Sequence, residues 1–174
     1  MPGLTLAPAQ TDIQTALRAF LIAILPAGVE VVEGEDNKVP EPASPNFVTM
    51  TVLRRPRLGT NVDALDSAGL NSTTMQPTEI AVQLDVHSSD SLVASDNAQL
   101  ISTMFRDEFA ISFFEQFPGI SPLRADDPRQ VPFDNAQDQY EPRYIVEALL
   151  QANQTVTTAT QSANALNIGL FQVP

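Results

Sequence analysis

The chain has 174 residues, 43% of them hydrophobic, which suits a single domain able to bury roughly 70% of its unfolded surface. A formal charge of −12 argues against a subunit that grips nucleic-acid phosphates through clustered basic side chains, and the absence of cysteine excludes disulfides, thiolate zinc sites and thiol nucleophiles. Lys38 is the sole lysine beside eight arginines, and arginine suits planar, bidentate pairing with carboxylates at interfaces.

Residues 12–25 place Ile13, Ala16, Leu17, Phe20, Leu21, Ile24 and Leu25 at the spacing of an amphipathic helix, with Thr11 or Asp12 as N-cap and Pro26 and Gly28 as stops. This first apolar run contains Arg18, is too short to span a bilayer and follows no basic segment, so neither a signal peptide nor an anchor is expected. "GVEVVEG" predicts a strand, and a proline-rich loop follows at about 35–46. "FVTMTVLRR" predicts a second strand, apolar enough for both faces to be covered. Residues 56–77 carry turn formers without a sustained period and read as a long loop or a hairpin excursion. Then Ile80, Val82, Leu84 and Val86 alternate with Ala81, Gln83, Asp85 and His87, a strand with one buried and one polar face.

"SDNAQLISTMFRDEFAISFFEQF" predicts one helix, capped at Ser95 or Asp96, with Leu100, Ile101, Met104, Phe105 and Phe109 on its apolar stripe and Pro118 and Gly119 beyond its end. A charged loop occupies about 124–142. "RYIVEALLQANQTVTT" predicts a long strand with Tyr144, Val146, Ala148 and Leu150 on one face, and "NIGLFQV" predicts a last strand. The order predicts one α+β domain over 1–174: two helices packed on a mainly antiparallel sheet, with long loops.

The loop "RADDPRQVPFDNAQDQYEPRY" concentrates acids, arginines and prolines, and invites a catalytic explanation. Asp126, Asp127 and Glu141 would be the carboxylates of a metal-dependent nuclease. Adjacent carboxylates in an extended segment point apart, however, and Pro128 biases Asp127 toward extended geometry. The alternative is a loop in which Asp127 turns the chain while Arg129 and Arg143 pair with nearby acids. His87 is the sole histidine, and no G-x-S-x-G, P-loop, G-x-G-x-x-G or H-E-x-x-H pattern occurs. Neither metal nor cofactor is expected. The "RDE" run at 106–108 reads either as an ion network on one helix or as an intersubunit pair. Arg54, Arg55 and Arg57 read as a solvated strand end, a contact to an acidic neighbour, or a contact to DNA backbone.

"DNKVPEP" at 36–42, "RLGTNVDALD" at 57–66, "VQLDVHSSDSLVASDNAQLISTMFRDEFA" at 82–110 and "PLRADDPRQVPFDNAQDQYEPRY" at 122–144 resemble, in this order, the phage neck or tail terminator proteins of contractile-tailed phages. Two departures stand out: "HSSDS" follows the "VQLDV" strand where relatives commonly have an aromatic and a glycine, and Pro142 stands before Arg143. The resemblance implies a structural protein without catalysis, forming a ring, usually a hexamer, that caps the tail tube in the virion neck after assembly in the host cytoplasm. It implies as partners further copies of the chain, the tail tube protein and head–tail connector proteins, with the tail sheath as a further neighbour. Genome DNA would pass through non-specifically, and no membrane would be involved. The head-side connector or collar is the alternative within this class; such dodecameric connectors tend to be dominated by helices. The residues expected at the subunit interface are Arg54, Arg55, Arg57, Arg106, Asp107, Asp126, Asp127, Arg129, Gln139, Tyr140, Glu141 and Arg143.

Overall fold

The computed structural model describes residues 4–34, 42–131, 133–134 and 140–160, with 133–134 and 140–141 described by their backbone alone. Most of the expected loop at 35–46, Gln139 and the expected strand "NIGLFQV" lie outside these residues.

Strand β1 (Leu6–Ala7) leads into helix α1 (Gln10–Ile24). The helix buries Ile13, Ala16, Leu17, Phe20 and Leu21, as the spacing predicts. Its N-cap is Ala9, not Thr11 or Asp12; Asp12 sits one turn in, where its carboxylate accepts the Ala9 N–H at 2.7 Å. That carboxylate satisfies a backbone donor that the helix leaves unpaired and favours the positive end of the helix dipole. After Leu25, whose N–H closes on the Leu21 carbonyl at 2.9 Å, Pro26 and Gly28 (φ 94°) turn the chain into β2 (Glu30–Glu33).

Strand β3 (Phe47–Arg54) pairs parallel with β2. The run at 56–77 resolves into the hairpin alternative: β4 (Val62–Leu65) turns back into β5 (Asn71–His87), a strand of 17 residues. The predicted second helix is two. Helix α2 (Ser91–Phe105) starts earlier than expected, with Asp90 as N-cap accepting the Leu92 N–H at 2.9 Å. It ends at Arg106, and Asp107 caps a new helix, α3 (Glu108–Phe114), by accepting the Phe109 N–H at 2.9 Å. An aspartate that competes for backbone N–H groups breaks the long helix. The strands β6 (Ile120–Ala125), β7 (Arg129–Gln130), β8 (Phe133–Asp134) and β9 (Tyr140–Glu141) follow, and β10 (Arg143–Ala159) closes the described chain.

The two 17-residue strands β5 and β10 run antiparallel along their whole length at the centre of an eight-stranded sheet. On the outer side of β5 lie β3 and β4; on the outer side of β10 lie β7, β6 and β1. Strands β8 and β9 form a separate pair. The protein is α+β, with three helices where two were expected, packed on one face of a mainly antiparallel sheet.

The core lies between that face and the helices. Val48 and Met50 of β3, Ile80, Val82, Leu84 and Val86 of β5, and Val146, Ala148 and Leu150 of β10 meet the apolar faces of α1 and α2. Phe20 is at its centre, its ring 5.5 Å from each of Phe105, Phe113 and Phe114.

Candidate functional site

The sheet face away from the helices holds most of the paired charge. Because side chains alternate along a strand, the residues that skip the core, at 79, 81, 83, 85 and 87 of β5 and at 143, 145, 147 and 149 of β10, share this face. Asp85 is almost buried there: Arg143 donates to its Oδ1 from Nη2 at 2.7 Å and from Nε at 3.0 Å, and Gln83 Nε2 lies 3.0 Å from both carboxylate oxygens. Arg143 stands opposite His87 and Asp85 opposite Ile145, so the pair spans the diagonal of two adjacent rungs, within reach of a long side chain. His87 stacks on Phe47, ring centroids 4.4 Å apart. The expected division into a buried face and a polar face therefore needs amending: Asp85 and Ala81 on the helix-free face are also buried.

Arg54 lies at the end of β3, reaching across β5 to Glu147 Oε1 at 2.7 Å and toward Glu79 at 3.8 Å. Arg55 is exposed and donates to Gln10 Oε1 at 3.2 Å. Arg57 is exposed and forms a single β-bridge with Thr78. Arg106 is an internal strut, donating from Nε to the Ala125 carbonyl at 2.7 Å and from Nη2 to Asp127 Oδ1 at 3.0 Å. The charge of Asp107 faces its own helix as a cap. Asp126, Asp127 and Arg129 line a polar recess of about 200 Å³ with Ile145 and Glu147. The backbone of Asp126 is tied on both sides, N–H to the Glu147 carbonyl at 2.8 Å and carbonyl to Ser102 Oγ at 3.0 Å. Tyr140 and Glu141 are placed as β9, without their side chains.

The structure thus pairs Arg106 with Asp127, brings Arg129 to the same recess as Asp126 and Asp127, and pairs Arg143 with an acid 58 positions away. Sequence reasoning missed Asp85, Glu79 and Glu147 as partners, since only the strand register brings them to the arginines. The single available signal was a carboxylate inside the regular alternation of β5.

A second feature is the hairpin at 56–77. Burial ends at Thr78 on β5 and Gln154 on β10; beyond these residues the two strands, joined by β4, carry no buried side chain among the described residues. Thr155–Ala159 span about 17 Å at the usual rise per residue. This three-stranded arm is rich in threonine and is laced across by Thr73 to Thr157 (3.1 Å), Thr74 to Asp63 (2.5 Å) and Gln76 to Asn61 (2.8 Å). At its tip the Asp66 carboxylate accepts the Leu70 N–H and the Asn71 side-chain amide, both at 2.8 Å, while Gly69 turns the chain at φ 67°. The Asn71 amide, followed by the Leu70 N–H, holds the Asp66 carboxyl below the usual 3.8. The charged form is the one the turn stabilises, so its contribution is present above the unfolded pKa and lost as pH falls through the lowered folded value. A carbon-detected NMR titration of the folded protein is expected to place the Asp66 midpoint below 3.8; a midpoint at or above it would mean that the turn does not close in solution.

Among the described residues no three or more His, Asp or Glu side chains come together as a metal site, and no helix is long and apolar enough to cross a membrane. The observed charges order loops, cap helices and tie strands together within an α+β protein. A family model described as phage neck terminator protein matches residues 11–172, and the chain belongs to that family. Comparison with curated proteins finds no match. Membership gives the protein a structural role in the phage neck, within the virion and in association with other tail and head proteins.

Proposed function

We propose that this protein forms a ring, six copies in closed rotational symmetry, that terminates the tail tube and joins it to the head connector while genome DNA passes through the lumen. The observation that carries the proposal is the match to the neck terminator family over nearly the whole chain, which also supports 1–174 as one functional unit. A ring of identical subunits needs two different patches on each, meeting head to tail. Six copies of a chain of charge −12 repel DNA over much of their surface, which favours passage over adhesion. The exposed arginines Arg57 and Arg129 are the members of the expected interface best suited to reach a neighbour, since Arg54, Arg55, Arg106 and Arg143 are engaged within the subunit.

Negative-stain imaging with mass measurement, on the purified protein alone and mixed with its tail tube protein, tests this. Closed rings of six seated on tube ends are the expected result. A stable monomer that never caps tubes would remove the proposal, and rings of twelve that ignore the tube would favour the head-side connector.

A further inference from the structure

We propose that successive copies lock together by inserting the arm tip of one subunit into the apolar groove at the arm root of the next. The inference rests on the ring reading above and names its contact surfaces. The tip presents Leu65 and Leu70 at 65% and 58% exposure, on a turn already held by the Asp66 carboxylate. Large apolar side chains on a rigid, hydrogen-bonded turn lose little conformational freedom on docking, which makes them effective anchors.

The root carries an apolar recess. A groove of about 520 Å³ opens there between β1, the start of α1 and the turn from α3 to β6, with Pro8, Phe117, Pro118 and Ile120 among its walls. Gly119 shapes this turn: it adopts φ 78°, which a side chain rarely tolerates, and its carbonyl accepts the Asn153 N–H at 2.8 Å. The polar groups at hand are mostly spent within the subunit. Asp12 is bound to the Ala9 N–H, Gln154 to the Pro8 carbonyl and Thr155 to the Ala7 carbonyl.

Knob and groove cannot meet within one chain. Thr155 lines the groove, Leu70 bonds to Thr160, and continuous pairing with β5 up to Ala159 keeps the two about 17 Å apart. An apolar knob and an apolar recess at different places on one molecule make a heterologous contact, the type that closes into a ring when its rotation is right. On the ring reading, the occupant assigned to the groove is a second copy of this chain, and the occupant of the tip's apolar surface is the groove.

The absence of cysteine makes the contact directly testable. In the full chain, Ala7→Cys combined with Leu70→Cys should give, on mild oxidation of the assembled protein, a ladder of covalent oligomers on a denaturing gel. Within one chain the separation is far beyond the about 7 Å between Cα atoms that a disulfide tolerates. Leu65→Ser with Leu70→Ser should weaken assembly at least tenfold in concentration, read by light scattering, while circular dichroism and thermal midpoint stay near wild type. Wild-type rings combined with no ladder and unimpaired assembly of the serine variant would overturn the docking while leaving the ring intact. Serine-variant rings that form normally yet no longer cap tubes would also overturn it, and would assign the tip to the tail tube. A wild type that never oligomerises, with or without tube protein, would remove the ring and the docking together.

Discussion

Replacing Phe20 by alanine is expected to cost about 4 kcal/mol of folding stability, because a fully buried aromatic is removed and the cavity collapses only in part. Phe20 is the one residue on α1 whose ring meets both α2, through Phe105, and α3, through Phe109, Phe113 and Phe114. Its loss therefore unfastens three helices from one another. Urea denaturation followed by circular dichroism should show a lower midpoint, and heating should show a melting temperature lower by on the order of 10 °C. A loss under about 1 kcal/mol would mean that the helices are held to the sheet independently. Phe20→Leu, which keeps most of the apolar volume, should cost clearly less.

Asp85→Ala is expected to be the most damaging change on the opposite face, at roughly 3 kcal/mol. The Asp85 side chain is 8% exposed and that of Arg143 22%, so the pair is shielded enough for the loss of its charge-assisted hydrogen bonds to be costly. Arg143→Ala leaves the carboxylate with Gln83 alone among its described side-chain partners and should cost somewhat less. The double variant should cost less than the sum of the two single changes, because both remove the same contact, and a coupling of about 1–3 kcal/mol between the two positions is expected. Simple additivity in the urea midpoints would show that the contact contributes nothing beyond packing. The result also bears on assembly: Arg143 begins β10 and fixes its register on β5, so its loss should weaken the isolated subunit, whereas Arg129, exposed at the recess, can be changed with the fold intact.

The helix of residues 10–24 was legible because burial on one side of a helix leaves a period that no tertiary contact alters. The same holds for β5 and β10, whose alternation is visible as Ile80–Val86 and Tyr144–Leu150. The break between α2 and α3 was harder to see. The apolar stripe passes over it, from Phe105 to Phe109 four positions on, and what interrupts the helix is a single carboxylate, Asp107, turning to its own backbone. The arm was legible only as a choice between loop and hairpin, since threonine-rich segments of weak alternation become strands when a long neighbour supplies their hydrogen bonds.

The site divides in the same way. The concentration of charge between 124 and 143 was plain in the sequence, as was the want of a nucleophile or ligand set to accompany it. The partners were not plain, because Arg143 meets Asp85, Arg54 meets Glu147 and Arg106 meets Asp127 across separations that only strand register and helix docking close. By itself the sequence determined the α+β class, the apolar faces that must be buried and the kinship carried by its loop motifs, all of which depend on local periodicity or residue order. The tertiary structure decided which charges are spent inside the subunit, and it placed an apolar tip and an apolar groove out of each other's reach. Those are questions of distance between residues far apart in the chain, and distance is what folding adds to order.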